Sequence, residues 1–322
     1  MEIGKNHYYA AHTAALRREL NDALPREELR DLHKRRPWRH FMVLARQLAI
    51  FSVSSYLLIR FSEPWIWIPV AFVQGLTLFN FTVLLHEVVH RTAVDGKYQR
   101  LNSFLGLLYA FPSGISRTQF TKWHLDHHAE LGSDQDDPKR NKLSPKVNKR
   151  WFKLLYFSPA LFPIYFRAAR KESSTYPQDL RRMISVERNL TIAAHLLIAA
   201  LIAVLAGWYA LLRVYIIPYF FVFPIAFAVN RLGQHYDIDP SDPAKWSTRM
   251  KRSLFWDVAY LWSGYHLEHH YFPSIPFYNL RRLNKLLEPV FECHQIKPHS
   301  YAELLYLYLV ENKKPHTDWD FV

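Results

Sequence analysis

The 322-residue sequence predicts an all-α integral membrane protein. Two transmembrane helical hairpins, four spans in all, are expected to anchor a cytosolic helical cap that carries a histidine-rich metal site. Three observations lead there: apolar stretches long enough to cross a bilayer fall in two close pairs, basic residues avoid the turns within those pairs, and histidines gather in three short motifs at helical spacing.

The spans come first. A bilayer core needs about 20 apolar residues of helix. The stretches near 42–60 and 64–86 are joined by the tight "RFSE", and those near 189–206 and 208–230 by "GW". Trp65, Trp67, Trp208 and Tyr209 sit at or just past these joints, where an aromatic belt belongs. A polar segment, 1–41, precedes the membrane domain, 42–290, and a tail, 291–322, follows it. Two apolar runs too short or too broken by Pro to span, "SFLGLLYAF" (103–111) and "WFKLLYFSPALFPIYF" (151–166), are expected to lie at the interface.

Charge sets the orientation. The net charge is +13, from 41 Lys+Arg against 28 Asp+Glu. Only Arg60 and Arg213 lie near the hairpin turns, so both termini and the long middle segment are expected on the cytoplasmic side. The basic excess is thereby a topology signal, and nucleic-acid binding is excluded. The single cysteine, Cys293, rules out an intrachain disulfide and a Cys-based metal site.

The chemistry lies in the histidines. HEVVH spans 86–90, HLDHH 124–128 and HLEHH 266–270. At roughly 100° per residue, positions i and i+4 stand about 40° apart and i, i+3 and i+4 fit in an arc of about 100°. Each motif therefore presents its imidazoles on one helical face. HEVVH alone matches the pattern of zinc proteases, but a catalytic zinc takes three protein ligands and a water. The eight residues His86, His90, His124, His127, His128, His266, His269 and His270 are twice or more what one zinc can use. Two metals with four or five nitrogen ligands each would consume them, and imidazole suits iron, copper, nickel or zinc. The protease is rejected.

With the three motifs in order and a hairpin on either side of the second, the chain resembles the membrane fatty acid desaturase superfamily over roughly residues 40–290. "YHLEHHYFPSIPFYNL" (265–280) is especially similar to the third motif of bacterial acyl-lipid desaturases. The resemblance implies a non-haem di-iron centre, two Fe, at the cytosolic face of what is then a bacterial cytoplasmic membrane. There O2 and two external electrons are used to break an unactivated C–H bond of a lipid, introducing a double bond into an acyl chain. It also implies a ninth ligand at the cytosolic end of the fourth span, a role His235 in "NRLGQHYD" matches. Relatives that act on acyl-CoA carry, four residues before that histidine, an asparagine that holds a metal-bound water. Position 231 is Arg here, so Asn230 and Gln234 are the candidates for that role. No catalytic residue beyond the metal ligands is expected.

Glu87, Asp126 and Glu268 lie inside the motifs and either solvate their helices or accept the second N–H of a ligating imidazole. Asp134, Asp136 and Asp137 read as a loop and cap cluster, although similar acidic turns follow the second motif in relatives. His195, within the third span, is expected to make a helix–helix hydrogen bond. With no cysteine cluster and no fused haem-binding domain, electrons are expected from a separate donor, a ferredoxin or a cytochrome with its reductase, drawn to a basic face. A hydroxylase or ketolase of the same superfamily, acting on a fatty acyl, carotenoid or alkane substrate, would share every ligand. A non-enzymatic metal-binding membrane protein would need no apolar tunnel.

Overall fold

The computed structural model describes residues 7–314. The ends of the expected N-terminal segment and tail, 1–6 and 315–322 with His316, lie outside the described residues. Among those described, the structure is helical with no strand.

Three short helices, α1 (Tyr8–His12), α2 (Ala14–Asp22) and α3 (Arg26–Leu32), lead into the first long pair, α4 (Pro37–Arg60) and α5 (Pro64–Val89). Both long helices begin with Pro, whose missing N–H costs nothing in a first turn. The histidine-bearing layer then starts with α6 (Gln99–Ala110) and α7 (Arg117–Glu130) and continues through α8 (Arg150–Leu155) and α9 (Leu161–Ser173). The second long pair is α10 (Gln178–Ala206) and a composite helix, α11 (Trp208–Leu211) running through a π-helical stretch, Leu212–Val222, into α12 (Phe223–His235). The chain closes with α13 (Leu254–Ala259), α14 (His266–Tyr271), α15 (Phe277–Leu286), α16 (Glu288–Cys293) and α17 (Tyr301–Leu305). The short runs expected at the interface are helical in part: α6 covers most of 103–111, while residues 156–160 interrupt 151–166 between α8 and α9.

Among the described residues, four helices are long and apolar enough to cross a membrane, the fourth being the whole of Trp208–His235. They are not equivalent. In α5, 61% of the most apolar stretch is buried, and in α10 none is. Val204 at 82% and Leu205 at 80% exposure make sense only against hydrocarbon. The third long helix thus starts well before the apolar run near 189, and its first turns stand among the helices of the histidine layer.

Inside the bundle, small and polar residues set the contacts. Gly75 lets α5 approach the π-helical stretch closely, since a Cβ there would stand 2.4 Å from Val222 Cβ and 2.6 Å from the Pro218 carbonyl. Pro218 has no N–H to offer Val214, four residues earlier, and Gln74 Nε2 donates to that carbonyl at 2.9 Å. Ser54 and Ser55 donate in turn to Gln74 Oε1, tying α4 to the same point. His195 is satisfied at both nitrogens, by Tyr215 Oη at 2.7 Å and the Phe111 carbonyl at 2.8 Å, a helix–helix bond as expected.

Two helix ends are fixed with particular care. After His90, α5 stops in a Schellman turn: Arg91 takes a left-handed φ of 56°, its N–H reaches the Val88 carbonyl at 3.1 Å, and the Thr92 N–H reaches that of Glu87 at 2.9 Å. At the start of α7, Ser116 caps Gln119 N at 3.1 Å. Glu187, from the early turns of α10, accepts from Thr118 N at 2.9 Å, Thr118 Oγ1 at 2.7 Å and Ser116 Oγ at 2.6 Å. A carboxylate at a helix N-terminus also opposes the macrodipole. Replacing it strands those donors, so Glu187→Ala should cost about 1–2 kcal/mol of stability, read as a fall in the thermal unfolding midpoint of the purified protein. An unchanged midpoint would show that water replaces the cap.

Candidate metal centre

Helix ends bring the histidines together. The last turn of α5 supplies His86 and the capping residue His90, α7 supplies His124, His127 and His128, the end of α12 supplies His235, and α14 supplies His266, His269 and His270. Their ring nitrogens form two groups able to hold a metal ion, within each of which the atoms lie within 4.8 Å of one another. One holds His86, His90, His124, His128 and His269; the other holds His127, His235, His266 and His270. Helical geometry explains the partition. In α7 the i, i+4 pair His124 and His128 shares one group while His127, turned off that face, enters the other. In α14 the pair His266 and His270 joins the second group and His269 the first. Seven of the nine are at most 9% exposed, His86 and His90 being half-buried.

The outer partners fix which nitrogen faces inward. His127 Nδ1 donates to Asp137 Oδ1 at 2.8 Å, His235 Nδ1 to the Trp246 carbonyl at 3.3 Å, and His86 Nδ1 to Glu87 Oε1 at 3.4 Å. Each bond leaves Nε2 as a bare lone pair pointing into the cluster. The lone pairs of His127 and His235 thus face each other at 3.0 Å, and the same nitrogens of other rings crowd alongside: His266 lies 3.0 Å from His235, His269 3.1 Å from His128, and His90 2.7 Å from His124, all Nε2 to Nε2. Lone pairs opposed in this way repel unless a cation sits among them. His86 Nε2 is buried with no hydrogen-bond partner, as a waiting ligand would be. The donor set therefore fits two metal ions with nitrogen ligands.

Burial makes this set neutral. It pushes His124, His128, His266, His269 and His270 well below the ordinary imidazole range, and neighbouring imidazoles and Lys139 add to the effect. Lys139 Nζ lies 3.1 Å from His124 Nδ1. Only an uncharged amine can accept the Nδ1 proton that leaves His124 Nε2 free, and burial followed by the Arg231 charge brings Lys139 down to about 7.

The carboxylates of the three motifs behave differently from one another. Glu87 bonds His86 and is held by Thr92 Oγ1 at 2.7 Å and Phe277 N at 3.0 Å. Asp126 pairs with Lys122 and reaches no imidazole. Glu268 is fully buried, with Asn284 on Oε1 and no partner on Oε2; burial pushes its pKa up to about 7. Asn230 and Gln234 line a cavity with His86, His124, His266 and His269; Gln234 Nε2 donates to Asn230 Oδ1 at 2.9 Å, and Asn230 Nδ2 to Ser263 at 2.6 Å. The rest of that cavity is largely apolar, with Phe79, Val83, Trp123, Phe227, Leu261 and Phe277 among its walls. Asp137, read from the sequence as a loop cap, is the carboxylate with the shortest bond to these imidazoles, and its ten-residue distance from His127 hid it. Trp246 carries no signal in the sequence. Its ring packs on Gly132, where a Cβ would stand 2.5 Å from the indole and the φ of +91° suits glycine alone.

Comparison with known proteins agrees with this geometry. The family model described as fatty acid desaturase matches residues 62–302. The sphingolipid delta(4)-desaturase/C4-monooxygenase of Rattus norvegicus is 27% identical over 279 residues, covering 84% of this chain and 79% of that protein. The sn-1 acyl-lipid omega-3 desaturase (ferredoxin) of Synechocystis is 23% identical over 298 residues, covering 84% and 80%.

The buried neutral imidazoles carry a pH signature. Their folded pKa values lie below the ordinary 6.5, so the unfolded chain binds more protons below that pH and stability drops as pH falls. Glu268, raised to about 7, works in the opposite sense, but five imidazoles outweigh it. Lys139, brought down to about 7, makes the unfolding midpoint of metal-free protein fall already on acidification from about pH 8, and the imidazoles should add a further, steeper loss below about 6.5. Thermal scans across that range check this; a midpoint rising on acidification would mean the imidazoles are not buried in neutral form.

Proposed function

The chain belongs to the fatty acid desaturase family, and from that premise we propose a membrane-bound di-iron enzyme that introduces a double bond into a lipid acyl chain using O2 and two external electrons. The observation that carries the reading is the juxtaposition of two nitrogen-only ligand groups with a largely apolar cavity. A non-enzymatic metal carrier has no use for that cavity.

The first group, His86, His90, His124, His128 and His269, would hold one iron, and His127, His235, His266 and His270 the other. The iron pair supplies oxygen activation and C–H oxidation, chemistry beyond any side chain. The balance is –CH2–CH2– plus O2, two electrons and two protons giving –CH=CH– plus two waters. The chain's own part is placement. Phe79, Val83, Leu261 and Phe277 hold the acyl chain against the histidine face and keep bulk water away. Glu87, Asp137 and the Trp246 carbonyl lock the tautomers of His86, His127 and His235. Asn230 and Gln234, linked to Ser263, offer polar atoms beside His266 for a bound water.

The charge pattern supports a histidine layer and both termini in the cytoplasm, and the likeness of residues 265–280 to bacterial acyl-lipid desaturases supports a bacterial cytoplasmic membrane. Electrons come from a ferredoxin or a cytochrome with its reductase, and the relative from Synechocystis bears ferredoxin in its name. Hydroxylation is the second reading, favoured by the joint desaturase and monooxygenase name of the rat relative. Expression in a host with a working donor separates the two. Membrane acyl chains should lose two hydrogens at one position, seen by mass spectrometry of extracted lipids, whereas chains that only gain an oxygen would make the protein a hydroxylase.

The ligand assignment has its own test. His235→Ala removes one of four nitrogens from the second group, and iron content should fall from about two per chain toward one, with turnover lost. His294→Ala, whose imidazole binds Glu19 at 3.0 Å, should leave both intact. A His235→Ala protein with full iron and activity would remove that residue from the site.

A further inference from the structure

Two basic side chains, Lys139 and Arg231, line the same cavity as the histidines. The Arg231 guanidinium donates to the Lys139 carbonyl at 3.2 Å and grazes Ser144 Oγ at 3.5 Å, while the Lys139 amine meets His124 Nδ1. Neither has a carboxylate within 4.0 Å among the described residues. The acids nearby are engaged elsewhere. Glu87 is held by Thr92, Phe277 and His86, and Asp137 takes the His127 ring together with the backbone N–H groups of Lys139 at 2.9 Å and Arg140 at 3.3 Å.

The donor count is then unbalanced. A guanidinium has five N–H groups, and the bonds of Arg231 to protein come from one nitrogen. Whether the Lys139 nitrogen accepts from His124 or donates to it, two of its N–H groups are left to give. Both residues also border a smaller pocket beside His127 and Asp137, and donors without a protein acceptor at the wall of a mostly apolar cavity are costly unless something that enters it accepts from them. An alkyl chain offers no acceptor, so the group that satisfies them belongs to the polar end of the ligand.

We propose that Lys139 and Arg231 form a subsite for a hydrogen-bond-accepting oxygen of the substrate, a carboxylate or an amide or ester carbonyl, so that the C–H bonds attacked lie near the polar end of the lipid. The proposal rests on reading the cavity as the substrate site. The Lys139 amine is one imidazole ring away from the inward nitrogens of the first group, since it touches the outer nitrogen of His124. An oxygen bound there fixes the chain from its head, and the reacting carbons are counted from that end.

Equilibrium binding of octadecanoic acid, octadecanamide and octadecane to the full-length purified protein tests this under anaerobic conditions, where no chain is consumed. The acid or the amide should bind at least tenfold more tightly than the hydrocarbon; preference for the acid alone identifies a carboxylate, and preference for both identifies a carbonyl. Lys139→Met and Arg231→Met should each bring the ratio of acid to octadecane affinity, compared within one protein, close to one, and Arg231→Lys, which keeps a cationic donor at that position, should preserve most of it. Equal binding of acid, amide and hydrocarbon to the unaltered protein, a measurement that depends on no variant, would overturn the subsite. So would Met variants that bind the acid as tightly as the unaltered chain. Products give a second reading: with chains of different length, the new double bond should keep its distance from the polar end, and a constant distance from the methyl end would sink the proposal. Head-selective binding with no double bond formed in any chain would leave the subsite standing and remove the desaturase reading, so the two fail separately.

Discussion

Mutual repulsion among inward-facing imidazole lone pairs is the constraint on which the rest of the structure depends. Nine rings converge, eight of them with an Nε2 atom about three ångströms from another, an arrangement costly to keep without cations between them. Holding it needs rigid platforms, and the protein uses the ends of long helices for the purpose. The last turns of α5 and of α12 emerge from the membrane-length bundle already oriented by packing over their whole length. The Schellman turn after His90 and the remote cap from Glu187 stop α5 and start α7 where the histidines converge. A frayed end at either place would turn a pair of imidazoles out of the cluster.

The same constraint dictates the surroundings. Each ring must be neutral and must present the correct nitrogen, so acceptors are needed on the outside and donors would be harmful. Asp137, Glu87 and the Trp246 carbonyl meet that need as acid, acid and main chain. His124 is the exception, since its outer partner is an amine. That contact ties Lys139 to the site, and it places a donor-bearing group at the wall of a largely apolar cavity. A carboxylate at position 139 would have fixed His124 equally well, and would have offered nothing to a substrate oxygen.

Much of this was legible in the sequence because it is periodic. Apolar runs of about 20 residues and H-x-x-H-H spacing are properties of single helices, and they located the four spans and the eight motif histidines. His235 was legible from where the fourth span ends. The outer partners were not, because they arise between elements. Asp137 reaches His127 through a loop, Glu187 reaches α7 from 69 residues away, and Trp246 is placed by the space that Gly132 leaves. Asp126 and Glu87 both sit beside ligands in their motifs, yet one faces Lys122 and the other an imidazole. Helical phase decides that, and for carboxylates adjacent to ligands the phase depends on how each helix rolls against its neighbours.

What the ligands cannot decide, the cavity can. Desaturation and hydroxylation begin with the same C–H cleavage and use the same nitrogen set, so nine histidines do not distinguish them. The outcome turns on whether a second C–H bond of the neighbouring carbon stays within reach or an oxygen is delivered first. That is a question of how firmly the chain is held along its length. A lipid gripped only by Phe79, Val83, Leu261 and Phe277 is free to slide by a carbon, since apolar contact is non-directional. A lipid also tied at one end by directional hydrogen bonds has a fixed register, and two adjacent carbons can be presented in turn without a slip. On the proposed reading, anchoring at the polar end bears on reaction type as well as on position, and Lys139 and Arg231 would be the residues that impose it.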